Sequence, residues 1–238
     1  MSQVFIGLSG FSYKPWQGEG RFYPPELKQK EFLRFYSQRY RAVEMDGTWY
    51  RMPGEDAVTS YKAGAPEGFK FCFKAHRQVT HMARLKPEAI DPLKFMLKRL
   101  EPMREHLGPI LLQLPPNLKR DDERLKAFLA ELPKEIPAQK QWAIEFRNET
   151  WHDDAVEAIL RENNVAWVAA ETDEASAQRR DTAGYIYSRL RRSEYTPEQL
   201  DSWANYFNGS GKECVVFCKH EDDGAPWIWA DQLRTKCG

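Results

Sequence analysis

The chain has 238 residues, with 35 basic and 35 acidic side chains and a formal net charge of +0. That length supports one sizeable core, and the charge balance excludes a globally basic surface that would draw the chain to a polyanion. No apolar run is long enough to span a bilayer, and the first strand-sized run begins almost at Met1 with no room for a signal peptide, so a cytoplasmic setting is expected. None of the four cysteines forms a Cys-x-x-Cys pair, and Cys72, Cys214 and Cys218 sit inside apolar runs, as buried reduced thiols would.

Eight short apolar runs follow one another along the chain: Val4–Leu8, Ala42–Met45, Phe69–Phe73, Ile110–Leu114, Gln141–Glu145, Val165–Ala169, Gly184–Ser188 and Cys214–Cys218. Each is followed at its downstream end by charged or hydroxyl-bearing residues. The segments between them carry helical stripes. A helix is expected from about Glu26 to Tyr40, after the loop Ser9–Pro25, and a short one through about Ala63. Leu93, Met96, Leu97, Leu100 and Met103 form the clearest stripe, stopped by Gly108-Pro109. Two further stripes are Leu125, Phe128, Leu129 and Leu132, then Val156, Ile159 and Leu160. Residues Ala170–Ala183 are polar and lack a stripe, so no full helix is expected there. Thr196-Pro197 opens a helix with a cap residue and a proline at its first position. The tail Asp222–Gly238, with Trp227 and Trp229, reads as a last short closing element. The alternation predicts a single-domain α/β fold over residues 1–238, a closed (β/α)8 barrel of parallel strands with its site at their C-terminal ends.

Side chains two apart on a strand share a face. Ser9, Glu44 with Asp46, Lys74 with His76, Gln113, Glu145 with Arg147, and Arg189 with Arg191 therefore fall on the inward set, opposite bulkier apolar neighbours. Charges buried there without partners would cost several kcal/mol each. Two explanations stay open: ion pairing of Glu44, Asp46 and Glu145 with Lys74, Arg147 and Arg189, or a wet, functional mouth.

Several motifs resemble those of the YecE-like proteins, domain-of-unknown-function family 72. They are Ser9-Gly10-Phe11-Ser12-Tyr13 with Trp16, Phe22-Tyr23-Pro24, Val43-Glu44-Met45-Asp46-Gly47-Thr48-Trp49-Tyr50, Gly68-Phe69-Lys70-Phe71 with Lys74 and Thr80-His81, Gln113-Leu114-Pro115-Pro116, and Glu145-Phe146-Arg147 with Trp151. They cover roughly residues 4–151. The C-terminal third departs: Arg189-Leu190-Arg191-Arg192 stands where the family often has Arg-x-His-Gly, and Lys219-His220-Glu221-Asp222 where it has Asn-Asn-Asp. The resemblance implies a TIM barrel and supplies no reaction.

Four chemistries suit these residues. Arginines and lysines at strand ends suit a phosphate or other anion, which guanidinium forks grip bidentately. His76, His81, Glu44, Asp46, Glu145 and His220 are metal-ligand types, but without a metal-binding spacing no metal ligand is assigned. Glu44 and Glu145 with Trp16, Trp49, Tyr50 and Trp151 would suit glycoside cleavage. Arg189–Arg192 with Tyr185, Tyr187 and Tyr195 interleave cations and rings as in a nucleic-acid platform. The reading adopted is an anion-binding, hydrolase- or lyase-like enzyme, with a metal-dependent endonuclease-like barrel or a non-catalytic binding protein as alternatives. Glu44, Glu145 and Lys74 are its catalytic candidates. Ser9, Tyr13, Trp16, Asp46, Tyr50, His76, His81, Gln113, Arg147, Trp151, Arg189 and Arg191 are its substrate-binding candidates. The expected partner is a small anionic molecule, ahead of a nucleic acid, with no membrane. Cofactor and oligomeric state are unassigned.

Overall fold

The computed structural model describes residues 2–132, 141–219 and 225–238. Among these residues nine strands form: β1 (Gln3–Ser9), β2 (Ala42–Met45), β3 (Lys70–Phe73), β4 (Ile110–Gln113), β5 (Trp142–Glu145), β6 (Ala166–Trp167), β7 (Ala169–Glu171), β8 (Tyr185–Leu190) and β9 (Glu213–Cys218). Seven helices accompany them: α1 (Phe32–Ser37), α2 (Glu55–Gly64), α3 (Ile90–Leu100), α4 (Asp122–Ala130), α5 (Asp154–Glu162), α6 (Pro197–Gly209) and α7 (Pro226–Cys237). Every strand pair is parallel. The strands lie in a six-stranded sheet of order β3-β2-β1-β9-β8-β7 and a three-stranded sheet of order β4-β5-β6.

One sheet gives way to the other at two places. The run expected as a single sixth strand changes partner at Val168: β6 pairs with β5, β7 with β8, and Val168 N–H donates to the Ile144 carbonyl at 2.9 Å. Between β3 and β4 only the isolated bridges Phe71–Leu107 and Lys74–Leu111 form. Pro109, just before β4, has no N–H to offer a ladder there.

The helices follow their apolar stripes. On α3 the buried residues include Leu93, Met96, Leu97 and Leu100, and α6 is capped by Thr196, whose hydroxyl accepts from Gln199 N–H while Gln199 reaches back to the Thr196 N–H. The first predicted helix is shorter than expected. Its buried face starts only at Phe32, and Gln29–Glu31 form a single 3-10 turn with no buried residue. Residues 172–184 contain no helix, as their polar sequence implies. The tail is more regular than expected, since α7 covers twelve residues and buries Trp227, Ala230 and Leu233.

Strand alternation divides the buried apolar residues into two layers. The larger lies between strands and helices. The smaller holds Phe5, Ala42, Cys72, Leu111, Ala143, Ala166, Tyr187, Val215 and Phe217, which come from both sheets and touch one another. Continuing along the same faces toward the C-terminal strand ends, the next residues are Ser9, Glu44, Lys74, Gln113, Glu145 and Arg189. Six of the residues assigned inward by parity thus continue this face, while Asp46, His76, Arg147 and Arg191 lie beyond the strand ends.

Tyr36 of α1 pins β1 to β2. Its hydroxyl accepts from Leu8 N–H at 2.7 Å and donates to the Ala42 carbonyl at 2.8 Å. Gly7 makes this close approach feasible, because a Cβ there would collide with the Ala42 carbonyl oxygen and stand 2.9 Å from the Tyr36 hydroxyl. Tyr36→Phe strands a buried N–H, so urea unfolding should register a loss of about 1–3 kcal/mol. An unchanged midpoint would show that the hydroxyl does not hold the strands.

Candidate functional site

Arg189, near the end of β8, lies at the centre of the polar layer. It is 2% exposed, while Glu44 and Glu145 are 0% and 4% exposed. Its Nη2 meets Glu44 Oε1 at 2.8 Å and its Nη1 meets Glu145 Oε2 at 2.6 Å. One guanidinium thus bridges β2 and β5, which belong to different sheets.

The remaining carboxylate oxygens are also engaged. Ser9 Oγ donates to Glu44 Oε1, and Tyr187 Oη donates to Glu44 Oε2 at 2.7 Å. Gln113 Nε2 and Arg147 Nε donate to Glu145 Oε1 at 2.8 and 3.0 Å. Burial opposes ionisation of Glu145, but the charges of Arg189 and Arg147 and the donated hydrogen bonds outweigh it and hold this carboxyl well below the usual carboxylate range. Such a group stays an anion across the physiological range. It orients its neighbours and has no proton to give.

Lys74, immediately after β3, is placed differently. It is half-buried and forms no ion pair or hydrogen bond through its amine among the described residues. Its Nζ stands 5.2 Å from the Trp49 ring centroid, a cation–π arrangement. Burial, with the nearby positive charge of Arg189, pushes its pKa down from 10.5 to about 8. Trp49 also reaches His81: its indole N–H donates to His81 Nδ1 at 3.3 Å, and Thr80 Oγ1 lies 2.9 Å from the same nitrogen. Indole N–H can only donate, so Nδ1 is the acceptor and the neutral ring carries its proton on Nε2. Burial, with the charge of Lys74 next, lowers the His81 pKa and favours that neutral ring.

A third group stands beside these. Asp46 pairs with Lys219 at 3.1 Å and accepts from the Tyr13 hydroxyl at 3.2 Å. Burial, reinforced by Asp46, keeps that phenol protonated. Next to the network opens a cleft of about 440 Å³, lined among others by Glu145, Arg147, His152, Trp167, Thr172, Gln178 and Arg191. Glu145 and Arg147 are common to the network and the cleft wall, whereas Glu44 and Lys74 are not on that wall. Arg147 spends its Nε on Glu145, and its two terminal nitrogens have no partner among the described residues.

The structure thus gathers Ser9, Glu44, Gln113, Glu145, Arg147 and Arg189 into one network, Tyr13 and Asp46 into a second, and Lys74 and His81 around Trp49. Other candidates lie elsewhere. Trp151, expected to wall the site, is 1% exposed, stacks on Phe146 and donates to the Leu118 carbonyl at 2.8 Å. Its bulk belongs to the layer behind the strands. Trp16 is also buried, against Phe22 and Trp227, with Tyr13 beside it. Tyr50 is 70% exposed, and its carbonyl lies 3.3 Å from His76 Nε2. Arg189 was expected to grip a ligand; its Nη groups are committed to the two glutamates. Arg192 turns to Glu171 at 3.2 Å, away from the network, as its parity requires. Tyr185, Tyr187 and Tyr195, the rings named for base stacking, are all buried. His220 lies outside the described residues, and among those described no group of three His, Cys, Asp or Glu is placed to hold a metal ion.

Sequence reasoning passed over Tyr187 as a partner of Glu44, although it shares the face of Arg189 two residues on, and that parity was the available signal. His152, Thr172 and Gln178 carried none, because they come from irregular segments.

A family model described as protein of unknown function DUF72 matches residues 5–238. The chain belongs to the DUF72 family. It is 23% identical to the UPF0759 protein YunF of Bacillus subtilis, over 89% of this chain and 85% of that one. The UPF0759 protein YecE of Escherichia coli K12 is 29% identical over 56% of this chain and 46% of its own length, so that match spans less than half of YecE. A DUF72 family protein of Thermotoga maritima superposes with a TM-score of 0.82 at 25% identity, covering 98% of both chains. One from Enterococcus faecalis superposes with a TM-score of 0.73 at 17% identity, over 100% of this chain and 95% of that one. No described helix of this DUF72 protein is long and apolar enough to cross a membrane.

Removing one member of the buried triad leaves charge uncompensated. Arg189→Met should cost about 3–5 kcal/mol in denaturant unfolding, as should Glu145→Gln by half-orphaning Arg189. Losses below about 1 kcal/mol for both would mean that the network carries little of the fold. The acid limb has a definite sign. Glu145 has a depressed folded pKa, so its contribution is complete above its ordinary value of 4.5 and fades as pH falls below it. The wild-type protein should lose more stability than Glu145→Gln between pH 5 and pH 3, roughly the window where an unfolded glutamate takes up its proton.

Proposed function

We propose that this DUF72 protein is an enzyme of hydrolase or lyase type that holds a small, phosphate-bearing anion at the C-terminal strand ends. The two sheets are read as arcs of a single (β/α)8 barrel spanning residues 1–238. The bridges between β3 and β4, the passage of β6 into β7 through Val168 and the inner apolar layer drawn from both sheets support that closure. Four free cysteines suit the reducing cytoplasm in which the protein is taken to work.

One observation carries the functional reading. The glutamates of the mouth are taken up by Arg189, while Arg147 keeps its terminal nitrogens unengaged on the wall of a cleft and Lys74 keeps its amine out of any ion pair. Arg147, tied to Glu145 through Nε only, turns an unpaired Nη edge to the cleft, and Lys74, off that wall, stays outside any ion pair among the described residues; an anion relieves both. A guanidinium anchored through Nε presents its Nη edge in the fork that matches two phosphate oxygens. Lys74 is the group available for chemistry, being nearest to neutral among the mouth cations. Glu44 and Glu145 act as positioning residues that fix Arg189 and Arg147.

An anion that binds only the folded state raises stability by mass action. Inorganic phosphate at ten times its Kd should contribute about 1.4 kcal/mol, roughly 3–6 °C in Tm for a chain of this length. Arg147→Gln should abolish most of that rise while Arg124→Gln, on the surface of α4, leaves it intact. Equal rises in both variants, or none in the wild type, would refute the anion site.

A further inference from the structure

We propose that Lys74 is an imine-forming residue, whose amine condenses with the aldehyde or ketone carbon of a substrate that also carries a phosphate held by Arg147. This rests on the anion reading above and names the substrate class it left open.

A lysine serving only to neutralise its surroundings would be found against a carboxylate. Here both candidates are used up: Glu44 by Ser9, Tyr187 and Arg189, and Glu145 by Gln113, Arg147 and Arg189. Lys74 instead rests over the Trp49 face, and Trp49 is itself fixed by its N–H to His81. A cation–π contact leaves the nitrogen's own bonding directions free, unlike a salt bridge. Burial and neighbouring guanidinium charge are the two devices that free a lysine amine for attack on a carbonyl, and both act here. With its pKa near 8 instead of 10.5, Lys74 holds roughly three hundredfold more free amine at neutral pH than an ordinary lysine.

The condensation balances without oxidant or reductant. The nitrogen lone pair forms the C–N bond, and the carbonyl π pair moves to oxygen. As –NH3⁺ becomes –NH⁺=, the two protons it sheds leave with the former carbonyl oxygen as water. The positive C=N⁺ then draws electrons from a bond to the adjacent carbon, which is lyase chemistry. The phosphate on Arg147 supplies the anchoring that lets a single weak carbonyl encounter become productive.

The test uses the whole wild-type chain, glyceraldehyde 3-phosphate as the phosphorylated probe and unphosphorylated glyceraldehyde as its control. Samples are reduced with borohydride, digested, and mapped by mass. Lys74 should carry the phosphorylated adduct at least tenfold faster than any surface lysine, with the preference lost for glyceraldehyde and competed away by inorganic phosphate. The labelling rate of Lys74 should climb with pH to a plateau just above 8. Lys74→Arg, which keeps the charge but cannot form an imine, should remove that adduct and still show the phosphate-dependent rise in Tm. Adducts spread evenly over the lysines, with the phosphate-dependent rise intact, would overturn imine formation and leave the anion site standing. Loss of the rise in the wild type itself would refute the anion site instead.

Discussion

Arg189 crosses the interior of this molecule to bind Glu44 on one side and Glu145 on the other, and the organisation of the strand ends depends on that bridge. The two carboxylates lie on strands of different sheets, so the guanidinium ties together elements that backbone pairing leaves only loosely joined. Such a bridge is a costly way to hold a fold. Desolvating three charges opposes it, and well-packed apolar side chains of similar volume often serve stability as well or better. What the ion network adds is geometry. It fixes three polar side chains and, through them, Ser9, Tyr187, Gln113 and Arg147.

The functional consequence comes from the cations that the bridge leaves outside it. Arg189 binds one oxygen of each glutamate, sharing that of Glu44 with Ser9, and Tyr187, Gln113 and Arg147 occupy the others. Among the described residues no carboxylate forms an ion pair with Lys74 or with the outer edge of Arg147. Arg189 and Arg147 hold Glu145 as an anion, while burial, helped by the charge of Arg189 and opposed by Glu44 and Glu145, lowers the proton affinity of Lys74. Beside one buried triad lie both the outward edge of Arg147 and a lysine amine closer to neutrality than an ordinary one.

Much of this was legible in the residues. Strand alternation alone placed Ser9, Glu44, Lys74, Gln113, Glu145 and Arg189 on one inward face, and burial cost left pairing or a wet mouth as the two ways to hold their charges. What alternation does not contain is height and reach. Lys74, Arg147 and Arg189 have the same parity and charge, and only the length and fork of Arg189 decide that it spans both glutamates and leaves Lys74 aside. The partner change at Val168 was hidden too, because an apolar run that switches neighbours has the same composition as one that does not. Trp151 was misplaced for a related reason: a tryptophan just past a strand end serves a mouth or the layer behind it, and the Leu118 carbonyl that captures it belongs to a distant loop. The C-terminal departure from the family pattern leaves Arg189, the residue on which the network depends, in place.

The most direct test of this account is a crystal structure of the wild-type chain soaked in phosphate at neutral pH. The anion should lie against the terminal nitrogens of Arg147 within reach of Lys74 Nζ, with Arg189 still bridging Glu44 and Glu145 undisturbed. An anion that draws Arg189 away from the glutamates, or density confined to other surfaces of the molecule, would contradict it.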